Sequence, residues 1–141
     1  MVKDRAQETA DALHAATVRL LRRAATADVG MDLDGPRASL LSVLVYGGPL
    51  PITRLAEIER VSPPAISKLV DALEAGKLVR RNRSQQDRRV VLVEPTAAGR
   101  RTLERGRLAR VSLIAELLKH ATPTELSTLE RAARIIASRL Q

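Results

Sequence analysis

Apolar and small residues recur at alternating intervals of four and three over the first stretch of the chain. Ala6, Ala10, Leu13, Thr17, Leu20, Ala24 and Ala27 fall on one line, with Val18 and Leu21 broadening it and no Gly or Pro between about residues 3 and 27. This is a heptad seam on a helix. Its narrow Ala/Leu stripe fits an ordinary core, and equally fits packing against a second chain. A similar seam closes the sequence, at Leu126, Leu129, Ala133, Ile136 and Leu140. It follows Thr122-Pro123-Thr124-Glu125, a capping box with proline at the first helical position.

Between the seams the pattern changes. Val29 to Pro36 is a break, and a helix from about Pro36 to Tyr46 ends at Gly47-Gly48-Pro49. Tyr46 is expected in the core. Leu50 to Arg60 predicts a short helix with Ile52, Leu55 and Ile58 inward and Glu57, Glu59 and Arg60 outward. Ser62 is then a candidate N-cap, with Pro63 at the first helical position. Ile66, Leu69, Val70 and Leu73 follow the i, i+3, i+4, i+7 spacing of a buried helical stripe. Pro64, Ser67, Lys68 and Asp71 lie on or near the opposite face, which suits a helix entering a major groove and equally a solvated surface.

Gly76 is expected to stop that helix. Two strands follow, Leu78 to Arg83 and Arg89 to Val93, around the polar turn Ser84-Gln85-Gln86-Asp87. Thr96 is the next N-cap candidate, opening a helix to about His120 with Leu103, Val111, Ile114, Leu117 and Leu118 as apolar positions. Gly99 and Gly106 lower its intrinsic propensity, so tertiary packing must hold its first half.

The order predicts a mainly α fold with a small β-wing (α+β), a winged helix–turn–helix. Residues 31–99 form the winged unit. Residues 1–30 and 100–141 form a helical dimerisation region, in which Leu13, Leu20, Leu126, Leu129, Ile136 and Leu140 pack in an intertwined two-chain bundle. A two-fold dimer doubles the few base contacts of one recognition helix and adds a spacing test of about one DNA turn.

Charge sharpens this picture. The chain has 141 residues and a net charge of +8. Between Lys77 and Arg89 stand six basic residues and one acid. Such focused charge implies a polyanionic partner: nucleic acid, an anionic surface or an acidic protein. Tyr46 is the single aromatic residue, which argues against binding single strands by base stacking. No cysteine is present, so disulfides and thiol chemistry are excluded. No segment approaches the ~20 apolar residues of a membrane span, and MVKDRAQE lacks the apolar core of a signal peptide. A cytoplasmic protein without cofactor or metal is expected. His14 and His120 are isolated, and no glycine-rich phosphate loop, metal-ligand spacing or nucleophile beside a histidine points to an enzyme.

Asp87-Arg88-Arg89, the valine run and Thr96-x-x-Gly99 resemble the wing signature of MarR-family transcriptional regulators. Leu55-Ala56-Glu57, Val61-Ser62 and Ile66-Ser67-Lys68-Leu69-Val70 resemble that family's helix–turn–helix. The resemblance is specific over about residues 50–99 and loose in the terminal helices. It implies a homodimeric repressor on a short palindromic operator, released by a small anionic, often aromatic, ligand bound between the lobes. By position, Arg89 would enter the minor groove, Asp87 would brace it, and Arg88 would meet a phosphate. Arg81 and Arg83 complete the wing set. Ser62, Pro64, Ala65, Ser67 and Lys68 would present the recognition helix to base edges and phosphates. Three positions depart from the family pattern. Lys77 stands where a glycine usually precedes the Leu-Val pair, Pro95 replaces a common leucine, and Pro51 falls near a usual N-cap. Two other readings share the charge: a winged-helix module for an acidic protein, and a non-specific architectural DNA binder.

Overall fold

A computed structural model describes residues 2–26 and 32–140, with Val2 and Lys3 described by backbone alone. Among the described residues the chain forms six helices and one two-stranded antiparallel sheet. They are α1 (Val2–Ala25), α2 (Gly35–Gly47), α3 (Ile52–Glu59), α4 (Pro63–Ala75), β1 (Val79–Arg83), β2 (Val91–Pro95), α5 (Ala97–Leu118) and α6 (Pro123–Arg139). The seam position Ala27, most of the expected break after α1 and the boundary at residue 30 lie outside the described residues.

The predicted caps are all made. Asp34 accepts from the Arg37 N–H at 3.0 Å, Ser62 from Ala65 at 3.3 Å, and Thr96 from Gly99 at 3.1 Å. At α6 the Thr122 hydroxyl accepts from the Glu125 N–H at 3.2 Å, while the Glu125 carboxylate accepts from the Thr122 N–H at 2.7 Å. That reciprocal pair satisfies two donors that a bare helix start would orphan.

Leu40, Leu41 and Leu44 of α2, Leu55 and Ala56 of α3, and Ile66, Val70 and Leu73 of α4 meet in one core. Val79, Val93 and Leu103 close it from the strands and α5. Two sequence expectations fail here. Tyr46 is 71% exposed, because α2 buries its 40–41–44 face and a residue two places beyond Leu44 lies on the other side. Ile58 is half exposed, and Ala56 takes the inward place beside Leu55.

The strands also shift from the expected bounds. The ladder runs from Val79 opposite Pro95 to Arg83 opposite Val91, so β2 starts two residues later and ends two later than its valine run predicts. Leu50 adds a bridge on the far side of β2, exchanging both backbone bonds with Val93. Val93 is thus fixed between two backbones and fully buried.

The end of α4 explains how the wing is launched. Leu78 N–H donates to the Leu73 carbonyl at 2.9 Å and Lys77 N–H to Glu74 at 2.9 Å, the paired bonds of a Schellman turn. The left-handed residue is Lys77 (φ 58°), not Gly76, whose φ of −78° any residue adopts. Gly99 is needed for a different reason: a Cβ there would run into the Leu78 backbone carbonyl. Thr96 completes the junction. Its N–H donates to the Leu78 carbonyl at 3.0 Å and its hydroxyl to the Lys77 carbonyl at 2.7 Å.

The terminal helices stand apart from this core. Among the described residues α1 buries only Ala24, α6 buries none, and α1 meets the body through α5. Leu13, Leu20, Leu126, Leu129, Ile136 and Leu140 are all exposed in the single chain. No described helix is long and apolar enough to cross a membrane, and no described group of three or more His, Asp or Glu could hold a metal ion.

The two glycines at the wing's base should respond oppositely to alanine. Gly99→Ala is expected to destabilise the protein by about 1–3 kcal/mol through overpacking against backbone. Gly76→Ala, whose new Cβ meets nothing closer than 3.6 Å, should stabilise it by about 0.4–1 kcal/mol. Urea unfolding of both variants checks this. Equal effects would show that the Leu78–Gly99 approach does not govern the junction.

Candidate nucleic-acid interface

The outward side of α4 is set by its inward one. With Ile66, Val70 and Leu73 fully buried and Leu69 partly so, Pro64, Lys68 and Asp71 are left exposed, while Ala65 and Ser67 are half-buried. Ser62 is exposed, but its hydroxyl already caps the helix. The exposed first turns are therefore small and carry one cation. Among the described residues Lys68 has no carboxylate within ion-pairing distance.

The wing's tip is built by short hydrogen bonds. The buried Ser84 hydroxyl accepts from the N–H groups of Gln86 (3.3 Å) and Asp87 (3.4 Å) and donates to the Gln86 side-chain oxygen (3.0 Å). Ser84 N–H donates to Val90 at 2.9 Å, and Val90 N–H to Asp87 at 3.0 Å. The Arg83 guanidinium closes the turn by donating to the Arg88 carbonyl at 2.9 Å.

At that tip Asp87 and Arg89 are brought together. Asp87 Oδ1 accepts from the Arg89 backbone N–H at 3.0 Å and from its Nε at 3.1 Å, and Oδ2 accepts from Nη2 at 3.3 Å. Two side-chain bonds fix the plane of the guanidinium, yet the Arg89 side chain remains 92% exposed. The Asp87 carboxyl is held below the usual carboxylate range, first by the side-chain bond from Arg89 and then by its backbone N–H. Arg88 is exposed beside it, with no acidic partner among the described residues.

Arg81 is placed differently from the other wing arginines. Its Nη1 binds Glu74 Oε1 at 2.6 Å and its Nη2 binds Asp71 Oδ1 at 2.8 Å, both acids on α4. Glu74 also accepts the Arg81 backbone N–H at 3.2 Å. The bond to Asp71 leads the upward shift of the Arg81 pKa. Arg81 therefore joins the wing to the recognition helix, and the structure does not gather it with Arg88 and Arg89 at the tip. Sequence reading missed Asp71 and Glu74 as its partners. The signal is visible afterwards as two acids three apart on α4 followed by a basic strand. Arg80 is likewise engaged across the sheet, with Glu94 at 2.5 Å.

The arrangement offers two cationic projections on one lobe, the first turns of α4 and the wing tip, with geometry fixed by Arg81 and by the Thr96 junction. Such a lobe can meet two successive grooves of a duplex.

Known proteins share this plan. A family model described as MarR family matches residues 31–90. The HTH-type transcriptional regulator YpoP of Bacillus subtilis is 30% identical over 98 residues, covering 70% of each chain. A MarR family protein from Bacillus stearothermophilus superposes with a TM-score of 0.84 at 22% identity, covering 99% of this chain and 98% of that one. A variant of S. aureus MepR, solved bound to an oligodeoxyribonucleotide, superposes with a TM-score of 0.72 at 18% identity, covering 94% and 98%.

Because Asp87 titrates below its unfolded value, its bonds to Arg89 are present above the usual carboxylate range and are lost as pH falls through the lowered pKa. In Arg89→Ala the midpoint should rise towards the ordinary value, stopping short of it while the residue 89 N–H still donates. Carboxyl carbon shifts followed by NMR against pH check this. The same midpoint in both proteins would show that the pair does not form in solution.

Proposed function

The chain belongs to the MarR family, and from that premise we propose that it is a sequence-specific regulator of transcription that binds double-stranded DNA as a homodimer. The observation that carries the reading is the Asp87–Arg89 pair. A guanidinium almost wholly in solvent, yet fixed in plane by a carboxylate, loses few rotamers on entering a groove. A narrow A·T-rich minor groove has the negative potential to attract it. Arg88 and Arg83 extend the positive charge towards the flanking phosphates. Ser62, Pro64, Ala65, Ser67 and Lys68 present α4 to the major groove, with Ser67 and Lys68 bonding base edges or phosphates. Arg81 acts through Asp71 and Glu74, positioning the wing relative to α4.

Residues 31–99 form the DNA-binding unit, and residues 1–30 and 100–141 the dimerisation region. The apolar faces of α1 and α6 are left open by their own chain, which supports a partner helix as their cover. A two-fold pairing of the lobes implies a palindromic operator. Repression relieved by a small anionic ligand between the lobes is the finer expectation that the family brings.

Two experiments test the reading. The protein should shift DNA flanking its own reading frame and retain it against excess unrelated duplex, and Arg89→Ala should weaken that binding by about 1–3 kcal/mol with unchanged circular dichroism. Equal affinity for every duplex would sink the specific-regulator reading, and full affinity in Arg89→Ala would remove Arg89 from the interface. Light scattering should give twice the chain mass at micromolar concentration. A monomer there would refute the role given to the seams.

A further inference from the structure

Both helices of the helix–turn–helix pair end in the same turn. After α3, Val61 N–H donates to the Ala56 carbonyl at 3.1 Å and Arg60 N–H to Glu57 at 3.3 Å, as Leu78 and Lys77 do after α4. Such a turn needs one left-handed residue, and glycine fills that place without a Cβ clash. Here the two places hold Arg60 (φ 56°) and Lys77 (φ 58°). A side chain kept at a strained position directs attention to what it does there.

The surroundings of Arg60 leave its charge free. The acids of α3 are already engaged: Glu57 pairs with Arg54 at 2.7 Å, and Glu59 accepts from Ser39 at 3.1 Å. Arg60 is exposed and has no ion pair among the described residues. It stands two residues before Ser62, at the end of α4 that carries Pro64 and Lys68. Lys77 stands at the other end, ~20 Å away along the axis.

We propose that Arg60 is a phosphate-binding residue, contacting the DNA backbone at the edge of the groove that α4 enters. It adds affinity without sequence preference. The inference rests on the DNA-binding reading above and adds a contact that neither α4 nor the wing supplies. The competing role for a cation here is favourable interaction with the C-terminal dipole of α3. The two roles separate cleanly. If the dipole is what matters, replacing Arg60 by glycine lowers stability. If the phosphate is what matters, glycine relieves the backbone and only DNA binding suffers.

The test uses the full-length protein and a mixed-sequence duplex titrated over a range of salt concentrations. Wild type, Arg60→Gly, Arg60→Lys and Lys77→Gly are compared, with thermal unfolding of each. In Arg60→Gly the slope of log K against log salt should fall by about 0.9, the loss of one phosphate contact. Affinity should drop by the same factor on any duplex, with a melting midpoint equal to or above wild type. Arg60→Lys should keep the slope, and Lys77→Gly should keep it too. An unchanged slope in Arg60→Gly, a loss confined to one sequence, or a lowered midpoint would overturn the proposal while leaving the DNA-binding reading intact. Wild type failing to bind any duplex would overturn both.

Discussion

The Leu78 carbonyl pressed against Gly99 is the constraint on which the working geometry rests. A two-stranded ribbon has little stability or direction of its own. Here its first strand begins where three elements are tied at a point. The Schellman turn ends α4, the Leu78 carbonyl accepts from Thr96, and the Thr96 hydroxyl both clasps Lys77 and caps α5. A side chain at residue 99 would push these elements apart, and the wing would lose its bearing relative to α4. The strained φ at Lys77 is the local cost of making that turn with a non-glycine residue.

Arg81 supplies a second tie, of a different kind. Its two ion pairs to α4 are partly exposed, with 66% of the Asp71 side chain in water, so their contribution to stability is modest. Backbone sterics and buried Val79 and Val93 therefore determine where the wing starts, and Arg81 limits how far it swings. The division has a consequence for charge. Arg81, Arg80 and Arg83 spend their donors on Glu74, Asp71, Glu94 and the Arg88 carbonyl. Of the basic run between Lys77 and Arg89, the tip pair Arg88 and Arg89 keeps the charge most open to a partner.

What the sequence made legible follows from how local each feature is. The caps at Ser62, Thr96 and Thr122 need only a hydroxyl and the next turn, and all three stand where their spacing puts them. The core positions of α4 follow from helical period, and Asp87 and Arg89 are two residues apart, close enough for one turn to join them. The misplaced features depend on distant partners. Gly76 seemed the natural helix stop, but the strand must leave one residue later, so Lys77 turns instead. Arg81 lies ten residues from Asp71, and nothing local says that the strand folds back along α4. Tyr46 and Ile58 were assigned inward because they are apolar, whereas α2 and α3 were already fully packed through Leu44 and Ala56.

α5 connects these local facts to the terminal helices. Its first turns bury Gly99, Thr102, Leu103 and Gly106, a stripe of mostly small residues on which the winged lobe sits closely. Beyond Gly106 the same helix exposes Leu108, Val111 and Leu117, and the open seams of α1 and α6 lie in the region it leads to. One continuous helix thus serves the lobe's core with its first half and the proposed dimer with its second. Without Gly or Pro after Gly106, it has no built-in hinge between that stripe and its C-terminal end. Any rotation of α5 within the dimer therefore arrives at Thr96 and Gly99 undiminished. There it moves the base of β1, and with it the separation between the two copies of Arg89.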